Sequence, residues 1–431
     1  MTTGTPGSTR RKSKLRKFIA LLGPGLVTGA ADDDPSGILT YSQSGAQFGL
    51  NQLWTAFFML PLLISVQEIS ARIALVTDQG IASVIRRNYS KPVLYTIVGL
   101  LLVANTINLG ADLGAMADCA RLLVNLPYYL FVFAFGLIAI LMEVIVPYKT
   151  YAPILKLLTV SLLAYFLTGL IATRDWATVF RATFVPHVRF DFQFLMIIVG
   201  VLGTTISPYC FFWQASQELE EKRAHRDAPG ITGSLLEDAR TDTAFGMIFS
   251  EVATWFMIET TAVVLYPNGV RDIETSSQAA SALEPLVKSF AHAGKISEIL
   301  FVLGVIGTGA LAVPIFAASS SYAVCELFGW EESLALRPSQ APGFYWTMLA
   351  GTVVGVLLNY VGINPIKALI YSAVINGLIA VPIIFMLIRI ANNKKIMGQY
   401  TSGTLSNLFS IATFTFMALA AVLMLYTFIA K

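Results

Sequence analysis

The feature that most constrains this chain is a succession of apolar runs, each long enough to cross a bilayer and set off by charge clusters and Gly/Pro punctuation. One helical crossing takes about 20 apolar residues, and in lipid only helices and closed barrels satisfy their own backbone. The chain is 55% hydrophobic and only 13% charged, about half the charged share of soluble domains. Its roughly 237 hydrophobic residues fill about eleven spans. The runs place helices near 18–48, 50–76, 92–124, 128–146, 151–173, 193–224, 239–267, 294–328, 344–362, 365–391 and 406–429. The expectation is an all-α integral membrane protein of eleven transmembrane helices, and a water-soluble fold is excluded.

The net charge of +3 is too small to imply a nucleic-acid partner. Its distribution says more. With the basic tail Arg10, Arg11, Lys12, Lys14, Arg16 and Lys17 inside, 20 of the 29 Lys and Arg fall on the cytoplasmic side. That bias predicts a cytoplasmic N-terminus, an external C-terminus and an odd number of spans. The tail precedes no small-residue cleavage site, so the first helix is expected to be retained. Cys119, Cys210 and Cys325 stand at unrelated spacings in apolar runs, which fits neither a disulfide framework nor a zinc pattern.

Two spans differ from the rest. The first is interrupted by Ala31-Asp32-Asp33-Asp34-Pro35-Ser36-Gly37 and the sixth by Gly203-Thr204-Thr205-Ile206-Ser207-Pro208-Tyr209. A mid-helix proline removes a donor and clashes with the preceding turn, so both helices should break near their centres. Broken helices in first and sixth place divide ten spans into two units of five, and an odd unit length forces opposite membrane orientations. This is the pattern of a LeuT-like 5+5 inverted repeat with its substrate at the midplane. The expected organisation is a tail over 1–17, a first repeat over 18–173, an external loop over 174–192, a second repeat over 193–391, and the eleventh helix and C-terminus over 392–431. Prolines at Pro61, Pro314 and Pro382 read as ordinary kinks.

Each aspartate near the centre of a span costs about 2.5–3.5 kcal/mol on insertion scales. Asp34 before Pro35 makes a good N-cap and N1 pair, but capping needs one carboxylate and not three. A cation delivered through a water-filled vestibule explains the others: Asp34 is the principal ligand, and Asp32 and Asp33 line the approach or one of them is protonated by burial. The partner break offers the Thr204, Thr205 and Ser207 hydroxyls, the Ala31 and Thr204 carbonyls and the Tyr209 phenol. Such oxygen donors suit hard ions such as Mg²⁺, Ca²⁺ and Mn²⁺. Neither break carries Met or His, and Cys210 reads first as a small hydrophobe.

At these residues the chain resembles the Nramp family of divalent-metal transporters, nearly end to end. Gly23-Pro24-Gly25 and Asp34-Pro35-Ser36-Gly37 are similar to the family's opening Gly-Pro-Gly and its metal-binding Asp-Pro-Gly-Asn. Gln67-Glu68-Ile69-Ser70-Ala71-Arg72 is similar to its second-helix signature, and Lys395-Ile396-Met397-Gly398 to the one before the eleventh helix. The departures are specific. Where manganese and iron carriers have Met-Pro-His, this chain reads Ser207-Pro208-Tyr209, and Gly37 replaces the Asn ligand, which implies a wider site. Tyr209 and Gln214 stand where the family has histidines associated with protons, and 344–362 lacks the arginines of proton-coupled members. The combination resembles the Nramp-related magnesium transporters and implies a carrier of hydrated Mg²⁺, and of Mn²⁺, working by alternating access without proton coupling.

The expected metal site is therefore Asp34, Ser207, Ala31, Thr204, Asp33 and Gly37, with Asp32, Tyr209, Glu251, Asn376 and Gln214 along the ion path. Glu251 is singled out because no basic residue lies within one turn of it, whereas Asp118 with Arg121 and Glu68 with Arg72 can pair locally. No cofactor and no covalent chemistry are expected, the metal being cargo. The partners are the lipid bilayer and the ion, in a monomer of the plasma membrane. Competing readings are a proton-coupled Mn²⁺/Fe²⁺ importer, an organic-solute symporter on the same fold, and a metal-sensing receptor that does not transport.

Overall fold

The computed structural model describes residues 23–145, 162–224 and 233–430. The basic tail, Lys149, Lys156, His225 and the first half of the expected fifth helix lie outside these described residues. Those described form helices and no strand. Fifteen helices of eight or more residues are α1 Pro24–Asp32, α2 Pro35–Phe48, α3 Trp54–Thr77, α4 Ile81–Asn88, α5 Lys91–Leu123, α6 Tyr128–Ile145, α7 Leu163–Ala172, α8 Trp176–Phe184, α9 Phe192–Thr205, α10 Pro208–Ala224, α11 Gly233–Val264, α12 Ala293–Phe328, α13 Pro342–Leu358, α14 Pro365–Ala391 and α15 Thr404–Ile429.

Among the described residues nine helical stretches are long and apolar enough to cross a membrane, with α9 and α10 counting as one. The broken pair α1–α2 and the partly described α7 stand outside that number. Both expected breaks are present, at Asp33–Asp34 and at Ile206–Ser207, while α3, α12 and α14 run through Pro61, Pro314 and Pro382. Two boundaries depart from expectation. Helix α11 begins at Gly233, because Leu235, Leu236, Glu237 and Ala239 are good helix formers that carry the helix upstream of the apolar run. The expected external loop contains α8, started by the Asp175 carboxylate accepting from the Thr178 amide.

Packing follows from small residues at the crossings. Helices α1 and α2 lie on α11, α9 on α14, and α12 on α5. A Cβ on Gly29 would stand 2.2 Å from the Gly246 carbonyl oxygen, and one on Gly203 2.1 Å from that of Ala373, so these backbones touch directly. Close backbone approach replaces the hydrophobic driving force that lipid removes. The outer surface is correspondingly apolar: Phe133, Leu419, Val422 and Tyr426 are all more than half exposed. The topology gathers Arg86, Arg87, Lys222, Arg223, Lys394 and Lys395 at the end where α1 begins, hereafter the basic end.

Candidate metal site at the two helix breaks

Local sequence creates the site. Asp34 is the N-cap of α2, its Oδ1 accepting from the Gly37 amide at 2.7 Å and from Ser36 Oγ at 2.7 Å, with Pro35 at the first helical position. Half of the expected double role is thus visible as capping. At the sixth-span break Ser207 Oγ donates to the Gly203 and Thr204 carbonyls at 2.8 and 2.6 Å. The Gln67 amide donates to the Cys210 carbonyl at 2.9 Å and Ser319 Oγ to the Tyr209 carbonyl at 3.0 Å. The Gly203 and Thr204 carbonyls freed at the end of α9 are therefore met by Ser207, while Gln67 and Ser319 tie the first turn of α10 to neighbouring helices.

The two breaks are clasped to each other reciprocally. Tyr209, on α10, donates its phenol to the Ala31 carbonyl of α1 at 2.8 Å. Tyr41, on α2, shares a hydrogen bond of 2.9 Å with Thr205 Oγ1 of α9. The Ala31 carbonyl and the Tyr209 hydroxyl, expected as ion donors, hence serve each other here, and the Thr204 carbonyl already accepts from Ser207. A carbonyl keeps a second lone pair, so each remains able to take a water or an ion.

Around this clasp lie five carboxylates, all buried: Asp32, Asp33, Asp34, Asp112 of α5 and Glu251 of α11. Asp32 Oδ2 accepts from Ser250 Oγ at 3.0 Å, and its Oδ1 lies 3.7 Å from Cys210 Sγ. Asp112 lies within electrostatic range of Asp34 and beside the Ser36 amide, and Glu251 within range of Asp32 and Asp33. Among the described residues, both oxygens of Asp112, both of Glu251 and Oδ2 of Asp33 have no hydrogen-bond partner. None of the five forms an ion pair among the described residues. Nor do any three His, Cys, Asp or Glu side chains among those residues converge closely enough to hold a bare ion.

Other expected residues sit as follows. Gly37 meets the ring of Tyr41, 3.1 Å from where a Cβ would stand. Asn376 accepts through Oδ1 from Asn108 Nδ2 at 2.7 Å, so its oxygen is engaged in helix packing. Gln214 donates to Thr243 Oγ1 at 2.6 Å and ties α10 to α11 towards the basic end. Glu68 pairs with Arg72 at 2.9 Å and Asp118 with Arg121 at 3.9 Å, as the local spacings predict. Glu259 is held by Thr173 and Thr260 and has a packing role. Sequence reasoning left Tyr41, Ser250 and Asp112 out of the site. Asp112 carried a usable signal, since it too lacks a basic residue within one turn.

Both ends are closed over the carboxylates. At the basic end Asp242 of α11 accepts from the Gly23, Gly25 and Leu26 amides at 2.9, 2.6 and 3.3 Å, capping α1 from another helix. At the other end Gln43 of α2 donates to the Arg271 carbonyl at 3.0 Å and accepts from the Ile273 amide at 2.8 Å. There a cavity of about 250 Å³ is lined by Gln43, Gln47, Asp272, Lys367 and Tyr371. The larger groove of about 740 Å³ between α3 and the start of α15 passes Arg72 and does not touch the aspartates.

Two broken helices clasped at mid-bundle, buried acids gathered beside the first break and an apolar outer surface define a membrane transporter of the broken-helix, inverted-repeat class. The chain belongs to the Nramp family: the profile of natural resistance-associated macrophage protein-like sequences matches residues 25–427. It is similar to the divalent metal cation transporter MntH of Caldanaerobacter subterraneus subsp. tengcongensis, 24% identical over 444 residues that cover 99% of this chain and 98% of that one. The MntH of Bacillus subtilis is 23% identical over 393 residues, covering 89% and 86%. Among solved structures, the Eremococcus coleocola manganese transporter superposes with a TM-score of 0.76 at 14% identity over 99% of this chain and 88% of that one. Mhp1, a nucleobase-cation-symport-1 family transporter, superposes at 0.50 and 15% identity over 94% and 92%. These last two show the fold. Membership makes the chain a transporter and not an enzyme, with metal as substrate and no cofactor.

Proposed function

We propose that the chain carries hydrated Mg²⁺, and Mn²⁺ with it, through the membrane by alternating access and without proton coupling. The observation that carries this reading is the set of five buried carboxylates at the breaks, with no Lys or Arg among the described residues paired to any of them. Intramembrane acids without counter-ions mark an ion pathway. Asp34 is the principal ligand, with Asp33, Ser207 and the Ala31 and Thr204 carbonyls reached directly or through water, and Gly37 bordering them against the Tyr41 ring. Asp32, Glu251, Tyr209, Gln214 and Asn376 line the way.

The relatives are named for divalent metal cations and for manganese, which supports a divalent cargo and makes Mn²⁺ the first competitor. A preference for Mg²⁺ rests on the donors: oxygen throughout, with serine where a thioether would favour softer metals. Uncoupled entry is energetically sufficient. Two charges moving inward down about 100 mV release about 4.6 kcal/mol, which supports accumulation of over about a thousandfold. In keeping with this, α13 carries no arginine and the sixth span no histidine. The same reading places a monomer in the plasma membrane, with the basic end and N-terminus cytoplasmic and the C-terminus external.

The test is flux of Mg²⁺, Mn²⁺ and Ca²⁺ into proteoliposomes with a lumenal pH dye. Asp34→Ala should abolish uptake while the protein remains monodisperse, and uptake that survives would remove Asp34 from the site. If Mn²⁺ outcompetes about a thousandfold excess of Mg²⁺, about 4 kcal/mol of preference, and the lumen acidifies with uptake, the proton-coupled manganese reading replaces this one.

A further inference from the structure

We infer a second divalent-cation position beside the one at Asp34, formed by Asp32 and Asp33 at the end of α1 with Ser250 and Glu251 of α11, with Asp33 standing between the two positions. It rests on the reading of the chain as a divalent-cation carrier. The two positions face different neighbours. Asp34 turns to Ser36 and Gly37, with Asp112 of α5 nearby, while Asp32 and Asp33 turn to α11. Ser250 Oγ stands 3.0 Å from Asp32 Oδ2 and 3.4 Å from Asp33 Oδ1. One hydroxyl proton serves only one of those oxygens.

Glu251, the next residue on α11, is 3% exposed, lies within range of both aspartates, and has neither oxygen partnered by a described residue. The simplest alternative is that these acids carry protons. A proton shared between Asp32 and Asp33 would settle their repulsion, but it does not settle Glu251. A neutral Glu251 would be a buried donor and acceptor without a partner, which folded proteins avoid. A hydrated cation supplies both what is missing: positive charge for three carboxylates, and water protons for their orphaned oxygens.

The ligand class follows from the atoms. Three carboxylates and a hydroxyl, spaced too widely to close on a bare ion, fit a hard divalent cation that keeps part of its water. Three negative charges exceed what a monovalent ion balances. Two ions on either side of the Asp33–Asp34 break repel one another, so entry of one eases departure of the other, as adjacent sites do in multi-ion conduction.

The experiment is stoichiometry and line shape of Mn²⁺ by electron paramagnetic resonance on the purified full-length chain, at Mn²⁺ levels that saturate uptake. Wild type should bind two ions per chain with a dipole-broadened spectrum, and Glu251→Gln and Asp34→Ala should each bind one with a narrow spectrum. Ser250→Ala, which leaves every carboxylate in place, should weaken the second ion by several fold and serves if Glu251→Gln fails to fold. A wild type that binds one ion, lost in Asp34→Ala, overturns the second position and leaves the carrier reading intact. A wild type that binds none overturns both, and two ions retained in Glu251→Gln overturns the assignment to α11.

Discussion

Asp242 is the contact whose removal should be easiest to read. Helix α1 is nine residues long and its own N-cap, Gly23, offers no side chain. The Asp242 carboxylate supplies the cap instead, accepting from three amides at 2.6–3.3 Å. Asp242→Asn keeps one acceptor oxygen and loses the charge. Capping contributes about 0.5–2 kcal/mol, and a charge at a partly buried helix end up to about 2 kcal/mol. A loss of about 2 kcal/mol is therefore expected for the closed arrangement of α1 against α11, equivalent to about a 30-fold gain in the open population.

Cys210 reports that opening. It is 2% exposed and its sulfur lies against Asp32, at the far end of α1. In a background of Cys119→Ala and Cys325→Ala, maleimide labelling of Cys210 should run about 30-fold faster in Asp242→Asn, in line with the population shift. Asp238→Asn, an exposed carboxylate one turn earlier on α11, is the control and should leave the rate unchanged. Equal or slower labelling in folded Asp242→Asn would refute the claim that this carboxylate holds the basic end shut.

Ser207→Met should shift preference from Mg²⁺ towards Mn²⁺ and Cd²⁺ in competition flux, because a thioether favours softer ions; unchanged preference would place residue 207 away from the ion. Arg72→Leu should lower stability by about 3 kcal/mol, because it strands the Glu68 carboxylate in a half-buried site, and the Glu68→Gln/Arg72→Leu pair should recover part of that. Thermal unfolding in detergent reads both: Arg72 now donates to Glu68 at 2.9 Å, to the Tyr400 carbonyl at 2.9 Å and to Ser402 Oγ at 2.9 Å. In the connection between α12 and α13, burial first and the Glu326 carboxylate second raise the Glu332 carboxyl well above the usual range. The folded connection thus holds its proton more tightly than the unfolded chain, so its stability is greatest in acid and falls as pH rises through the raised value. Amide exchange over 329–341 should accelerate in alkaline buffer beyond the intrinsic chemical rate, and Glu332→Gln should flatten that dependence.

What sequence revealed and what it hid divide along a physical line. Asp34-Pro35 and Ser207-Pro208 are legible because proline acts within one turn of its own chain and a charge inside an apolar run has few explanations. Glu68 with Arg72 is legible for the same reason, its partner lying four residues away. Ser250 reaches Asp32 across 218 positions and Tyr41 reaches Thr205 across 164, and no local pattern encodes such a pairing. Direction was equally hidden. That Asn376 would turn its oxygen to Asn108, and Tyr209 its hydroxyl to Ala31, depends on helix rotation, which apolar runs packed on every side leave open.

The bonds that join the two breaks are also of a kind a carrier can use. The clasps Tyr41 to Thr205 and Tyr209 to Ala31 are neutral hydrogen bonds, worth about 1 kcal/mol each, so a cycle that parts and rejoins the helices breaks nothing costly. An arginine paired with Asp32 or Asp34 would satisfy those acids permanently, and parting such a buried pair costs about 3–5 kcal/mol. It would also place a positive charge where a cation has to pass. Leaving the acids without basic partners keeps the joint weak and the field negative at once.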